Sequence, residues 1–162
     1  MNYFAYGSNM SLARLRHRIS TVELLGTGRL VGHQLRFHKQ GMDGSGKCDA
    51  FHTGHGDHAV HGVLFRIDAA GKAALDRFEG LGAGYEEKQV SVSLGTTRVE
   101  AVTYFATLIG TALRPFDWYL EHVLVGAREA QLPAAYLARL ERVDVQIDPD
   151  RERYAREVGI HR

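Results

Sequence analysis

Tyr3-Phe4-Ala5-Tyr6 is the segment that most limits what this chain can fold into. Four apolar and aromatic residues in a row, with no polar position among them, read as a short buried strand. Gly7-Ser8-Asn9 breaks it at once. Ser11 is a good N-cap for a helix over Leu12 to Ile19, in which Leu12, Leu15 and Ile19 share one face. The chain therefore opens as strand, tight turn and helix, and the rest of the sequence must supply the cover for that strand.

The remainder alternates between strand and helix signals. Val22 to Phe37, broken by glycines 26, 28 and 32, reads as two strands or one bent one. Residues 41–47 are Gly-rich and polar, hence a loop. Ala50 to Thr53 and Ala59 to Ile67 read as strands around a Gly54/Gly56 turn. Asp68 caps a helix that stops at Glu79-Gly80. Tyr85 to Leu94 and Val99 to Phe105 form a hairpin about Gly95-Thr96-Thr97. Pro115 to Glu129 and Pro133 to Arg142 read as helices, the second with proline in its first turn. The charged tail from Asp148 reads as a surface helix or a frayed end. Strands in the middle and helices at the end predict an α+β fold, a small mixed β-barrel or sheet flanked by helices.

Composition sets the class. The length of 162 residues suits one domain spanning 1–162, and 44% hydrophobic with 24% charged residues suits a compact core. The near balance of 20 basic and 19 acidic residues argues against a nucleic-acid partner reached through phosphates. The run Arg14-Leu15-Arg16-His17-Arg18 reads as a solvated helix face. Cys48 is the only cysteine, so no intrachain disulfide forms, which suits a reducing compartment. No signal peptide and no membrane span is visible, so the expectation is a cytoplasmic protein without a membrane partner.

Two patterns are weak despite their look. Gly41 to Cys48 nearly matches a phosphate-binding loop, but its last position is Cys, which cannot supply the hydroxyl ligand to magnesium. Asp49-Ala50-Phe51-His52 then reads as a strand where that motif must open a helix. His52, His55, His58 and His61 recur every three residues, a metal-ligand spacing on a helix, but Gly54 and Gly56 exclude a helix there. The expected metal set is none.

Two other places carry more chemistry. A strand that ends in Tyr6-Gly7-Ser8-Asn9 before a helix presents successive backbone N–H groups, which attract a carboxylate or a developing oxyanion. On the pattern alone, an ordinary capped strand-to-helix turn is the simpler reading. Glu79 closes a helix, where the dipole disfavours a carboxylate and raises its expected proton affinity. Plain surface charge is the simpler reading there too.

Three segments in order then change the weighing. Tyr3-Phe4-Ala5-Tyr6-Gly7-Ser8-Asn9-Met10 resembles the opening signature of the γ-glutamylcyclotransferase family. Leu75-Asp76, Glu79-Gly80 and Gly84-Tyr85 resemble the segment that carries its catalytic glutamate. Tyr119, Gly126-Ala127-Arg128-Glu129, Leu132-Pro133 and Tyr136 resemble its helical segment. The resemblance implies a β-barrel core with flanking helices, no cofactor, and a small-molecule γ-glutamyl substrate, with homodimer formation left open. The implied reaction converts a γ-glutamyl amino acid or amine into 5-oxoproline and a free amine. It implies Glu79 as acid/base and Tyr6, Gly7, Ser8, Asn9 and Tyr119 around the substrate. Tyr3 ranks lower among these, because strand alternation puts it on the face of Ala5. Relatives acting on γ-glutamylamines carry Tyr-Gly-Thr-Leu-Lys and glutathione-specific ones Tyr-Gly-Ser-Leu, and neither stands here. A non-catalytic binding module on the same fold and a γ-glutamylamine-specific cyclotransferase are the alternatives. Departures concentrate in residues 41–61, which leaves the substrate preference open.

Overall fold

The computed structural model describes all residues 1–162. Strand β1 (Asn2–Ala5) is followed by a 3₁₀ turn (Ser8–Met10) and helix α1 (Leu12–Arg18). Ser11 Oγ accepts the Arg14 amide, which is the expected cap. Strands β2 (Val22–Val31), β3 (His33–Gln40), β4 (Gly46–His52) and β5 (Ala59–Ile67) follow. The segment read as two strands or one bent one is thus two, joined at Gly32, and β4 begins four residues before the expected Ala50. Helix α2 (Ala69–Glu79) is capped by Asp68 at its start and ended by Gly80, whose φ of 68° is left-handed. Strands β6 (Tyr85–Leu94) and β7 (Thr97–Ala106) pair throughout about a two-residue turn, Gly95-Thr96. Helices α3 (Asp117–Glu129), α4 (Ala134–Glu141) and α5 (Arg151–Val158) complete the chain.

Five strands close into a barrel in the order β1-β5-β2-β6-β7. Neighbours are antiparallel except at the closing seam, where β1 meets β7 in parallel at Tyr3 and Val102. Closure removes the edges that an open sheet would expose. The apolar opening run has its cover: Phe4, Leu64, Phe65 and Val92 are fully or almost fully buried. Each such side chain stabilises the fold by about 1.5–3 kcal/mol. The hairpin β3–β4 stands outside the barrel as a separate two-stranded sheet. It is tied to the β7–α3 connection by the Gln40 amide on the Leu108 carbonyl and the Gly46 amide on the Arg114 carbonyl, both 2.9 Å. This places the hairpin as a wall beside the β1 turn. No helix is long and apolar enough to cross a membrane.

Two expectations change. The basic run on α1 is a solvated face only at Arg16 and His17, since Arg14 is 6% exposed and Arg18 is turned inward to Glu79. Three residues past Leu15, Arg18 shares the inward side of the helix. Nor is the tail merely a surface helix. Asp148 is fully buried, accepting Trp118 Nε1 at 2.7 Å and Arg153 Nε at 2.6 Å. Behind that anchor, Glu157 reaches Arg14 at 2.7 Å and His122 at 2.9 Å, and His161 Nε2 lies 2.6 Å from His122 Nδ1.

Candidate active site

A chamber opens where the β1 turn, the end of α2, the start of β6 and helix α3 meet. Its lining includes all seven residues singled out from the sequence: Tyr3, Tyr6, Gly7, Ser8, Asn9, Glu79 and Tyr119. It adds four that the sequence reading did not assign to the site: Cys48, Tyr85, Thr103 and Tyr104. The chamber is narrow, with about 30 Å³ that a water-sized sphere can occupy. An outer vestibule of about 370 Å³ shares Ser8, Glu79, Tyr85 and Tyr119 with it.

Glu79 is held by one oxygen. Its Oε1 accepts Asn9 Nδ2 at 2.9 Å and Arg18 NH1 at 3.1 Å, while Oε2 has no hydrogen-bond partner in the chain. Arg18 also donates to Asn9 Oδ1 at 3.2 Å, and Asn9 Nδ2 donates to Tyr3 Oη at 3.0 Å. The carboxylate is thus fixed by a three-residue network from the turn and α1, with a free oxygen in the cavity wall. Arg18 was missed because its partner stands 61 residues away; the available signal was its spacing from Leu15 on one helix face.

The three other nearby carboxylates do not compete for this place. Asp76 Oδ1 takes the Tyr104 hydroxyl at 2.6 Å and the Lys72 ammonium as well. Glu87 pairs with Lys72 at 2.9 Å, and both Glu86 and Glu87 are exposed. None of the three lines the chamber.

Tyr3 ranked low on strand alternation, yet it lines the chamber with Tyr6. The reason is local: β1 ends at Ala5, so the two-residue period does not extend to Tyr6. Five phenols surround the cavity. Tyr6 donates to the Tyr104 carbonyl at 2.6 Å, Tyr85 to the Cys48 carbonyl and Tyr104 to Asp76. Tyr3 and Tyr119 instead accept, from Asn9 and from the Cys48 amide at 3.0 Å, and neither hydroxyl proton has an oxygen acceptor in the chain. Burial pushes all five hydroxyls above the ordinary tyrosine range, so each serves as a neutral hydrogen-bonding group. Burial likewise pushes the Cys48 thiol up to about 12, which makes it wall and not nucleophile.

The turn itself leaves amides free. Met10 and Ser11 amides close it on the Gly7 and Ser8 carbonyls, while no loop or cap hydrogen bond takes the amides of Gly7, Ser8 or Asn9. Gly7 is constrained by packing: a Cβ there would stand 3.0 Å from Cys48 Cβ and 3.4 Å from Tyr119 Oη. Any side chain at Gly7 therefore pushes on buried walls of the chamber as well as on a ligand.

The histidines of residues 52–61 do not converge on this place. His52 stacks edge-on with His33 at 4.9 Å, His55 lies 5.0 Å from His58, and His61 lies 4.8 Å from Tyr136. The near phosphate-loop runs into β4, with Asp43 bound to Ser45 and to Lys47 at 2.9 Å.

A family model described as the AIG2-like family matches residues 59–140, a span that holds Glu79 and Tyr119 but not the β1 turn. The γ-glutamylcyclotransferases of Bos taurus and Homo sapiens are 26% and 27% identical to this chain, over 88% of it and 78% of each relative. A solved γ-glutamyl cyclotransferase superposes with a TM-score of 0.84 at 22% identity, covering 97% of this chain and 98% of that one. The Bacillus subtilis protein YkqA does so with a TM-score of 0.77 at 24% identity, covering 90% of this chain and 56% of that one. The solved structures share the barrel with its flanking helices, and the family match spans the strands and helices that carry the held glutamate: the chain belongs to the AIG2-like family.

Proposed function

We propose that this protein is a γ-glutamylcyclotransferase, a carbon–nitrogen lyase that converts a γ-glutamyl compound into 5-oxoproline and a free amine. The observation that carries this reading is Glu79, pinned through Oε1 with Oε2 free on a chamber walled by neutral phenols and by the turn amides.

The reaction asks little of a protein except geometry. The substrate's α-amine attacks its own γ-carbonyl, a five-membered ring closes, and no water enters. Holding the chain folded back on itself supplies most of the rate gain. The free amides of Gly7, Ser8 and Asn9 are placed to hold the substrate carboxylate or the carbonyl oxygen as charge develops on it. Tyr3 and Tyr119 have hydroxyl protons to offer a substrate oxygen.

Protons must move twice. The α-amine arrives protonated and must lose a proton to become a nucleophile, and the leaving nitrogen must gain one. Ordinary amine and glutamate values near ~8 and ~4.3 make direct transfer uphill by about 5 kcal/mol. Contact between the carboxylate and the amine of the folded-back substrate is what such a transfer requires. Glu79 Oε2 takes the first amine proton and returns it to the leaving nitrogen; the ring nitrogen sheds its second proton as the lactam forms and the released amine takes up that charge, so the enzyme ends each turnover unchanged. The test is incubation with a panel of γ-glutamyl amino acids and γ-glutamyl amines, with chromatographic detection of 5-oxoproline. Formation of 5-oxoproline from at least one is expected. Hydrolysis to free glutamate, or no turnover of any, overturns the reading.

A further inference from the structure

The molecule has four lysines, and three have polar partners: Lys47 with Asp43, Lys72 with Asp76 and Glu87, and Lys88 with His33. Lys39 is different. It is 7% exposed, lines the vestibule, and its Nζ meets no carboxylate, carbonyl or hydroxyl of the chain. Its only marked neighbour is the ring of Tyr85, 4.7 Å from Nζ to centroid. An ammonium set in the wall of the vestibule with no anion in contact loses part of its hydration, and a ring face offsets only part of that loss. Burial pulls Lys39 below the ordinary lysine range, and the charges of Glu79 and Asp43, neither in contact with it, oppose that shift.

The fold nevertheless makes room for this head group. Gly84 packs against it so closely that a Cβ would stand 3.0 Å from Lys39 Cε and 3.2 Å from Nζ. Gly84-Tyr85, part of the motif that follows Glu79, thus forms a floor and a side for the ammonium. Across the shared opening stand Glu79, Ser8 and Tyr119, which also border the chamber. A γ-glutamyl head that fills the narrow chamber leaves its departing half in the vestibule, where Lys39 is. In an amino-acid leaving group the carboxylate carbon is two bonds from the departing nitrogen. In a simple amine that charge is missing.

We propose that Lys39 binds the free carboxylate of the leaving amino acid, so that this protein selects γ-glutamyl amino acids and peptides over γ-glutamyl amines. The inference rests on the cyclotransferase reading and adds to it the residue that reads the leaving group.

Two substrates isolate the effect: γ-glutamyl-alanine and γ-glutamyl-ethylamine, which differ by one carboxylate. The wild-type ratio of their kcat/KM values is expected to favour the alanine compound about 10- to 100-fold, as befits a hydrogen bond between charged groups. Lys39→Met keeps the apolar stem and brings the ratio close to one, and Lys39→Arg preserves most of it. If Lys39 served only to support the charge of Glu79, Lys39→Met would lower both substrates alike and leave the ratio unchanged, which overturns the proposal. A wild-type ratio near one overturns it as well. Should Lys39→Met fail to fold by circular dichroism, Lys39→Gln takes its place. If neither compound is turned over, the reaction reading falls. The carboxylate reading is then judged by calorimetry on the wild type: tighter binding of γ-glutamyl-alanine supports it and equal binding ends it.

Discussion

Arg14 and Arg18 leave one helix a single turn apart, and each meets a glutamate, at 2.7 Å in Glu157 and at 3.1 Å in Glu79. The two pairs are alike in composition and differ in where the carboxylate stands. Arg14 and Glu157 border the vestibule, where Glu157 Oε2 is shared between Arg14 and His122, with His161 behind His122. Glu79 borders the vestibule too, but it also lines the inner chamber, which Glu157 does not. The contrast teaches that a partly buried ion pair is not by itself a mark of function. Both glutamates keep one oxygen without a partner; what sets Glu79 apart is that it also lines the inner chamber beside the β1 turn and the phenols.

The largest expected effect that separates the pairs is chemical. Glu79→Gln keeps the size of the side chain and its contacts to Arg18 and Asn9, but cannot accept a proton from an amine. Turnover to 5-oxoproline should fall by about 10²–10⁴-fold, the range of a positioned acid/base. The midpoint of thermal unfolding should stay within a few degrees. Near wild-type turnover in this variant would remove Glu79 from the mechanism and leave the chamber as a binding site.

Next comes the mirror experiment. Glu157→Gln removes the anion from a partly buried cluster and leaves Arg14 without its charge partner, with Arg14 Nε already lacking any hydrogen bond. Breaking a buried pair on one side costs up to about 3–5 kcal/mol, and the partial exposure of Glu157 reduces this to about 1–3 kcal/mol. Urea denaturation reads the loss, and kcat/KM on the best substrate should change by less than about threefold. A large activity loss with unchanged stability would mean that the two pairs are not separate in role.

The smallest effect is the response of the Arg14–Glu157 cluster to acid. Burial pushes His122 down to about 4, with the adjacent Arg14 charge acting in the same direction. Burial alone would raise Glu157, but the hydrogen bond from His122 and the charge of Arg14 outweigh it and bring it to about 2. In both cases the unfolded chain binds the proton more readily. Stability is therefore expected to fall as pH drops from about 6.5 toward 4 through His122, and from about 4.5 toward 2 through Glu157. Between pH 7 and pH 5 the loss should be about 1–2 kcal/mol, measured as a shift in the denaturation midpoint. A flat profile over that interval would show that His122 is not held neutral by its surroundings.

The sequence determined the local pieces of this protein. Ser11 and Asp68 as caps, Gly80 as a stop, the strand over Ala59 to Ile67 and the β6–β7 pair all depend on residues within a few positions of one another. That is the range over which hydrogen-bonding side chains, allowed backbone angles and periodic burial act. The turn and Glu79 were legible as candidates because their motif was, although nothing in their spacing said that they touch. Only the tertiary structure decided that Asn9 and Glu79, 70 residues apart, share a hydrogen bond, and that Arg18 turns inward to join them. It also decided that Tyr85 and Tyr104 face the cavity and that Lys39 has no anion beside it. A side chain's partner across a closed barrel is set by which strands pair and in what register, and a charge looks the same in sequence whether its far side is solvent, packed protein or an open site.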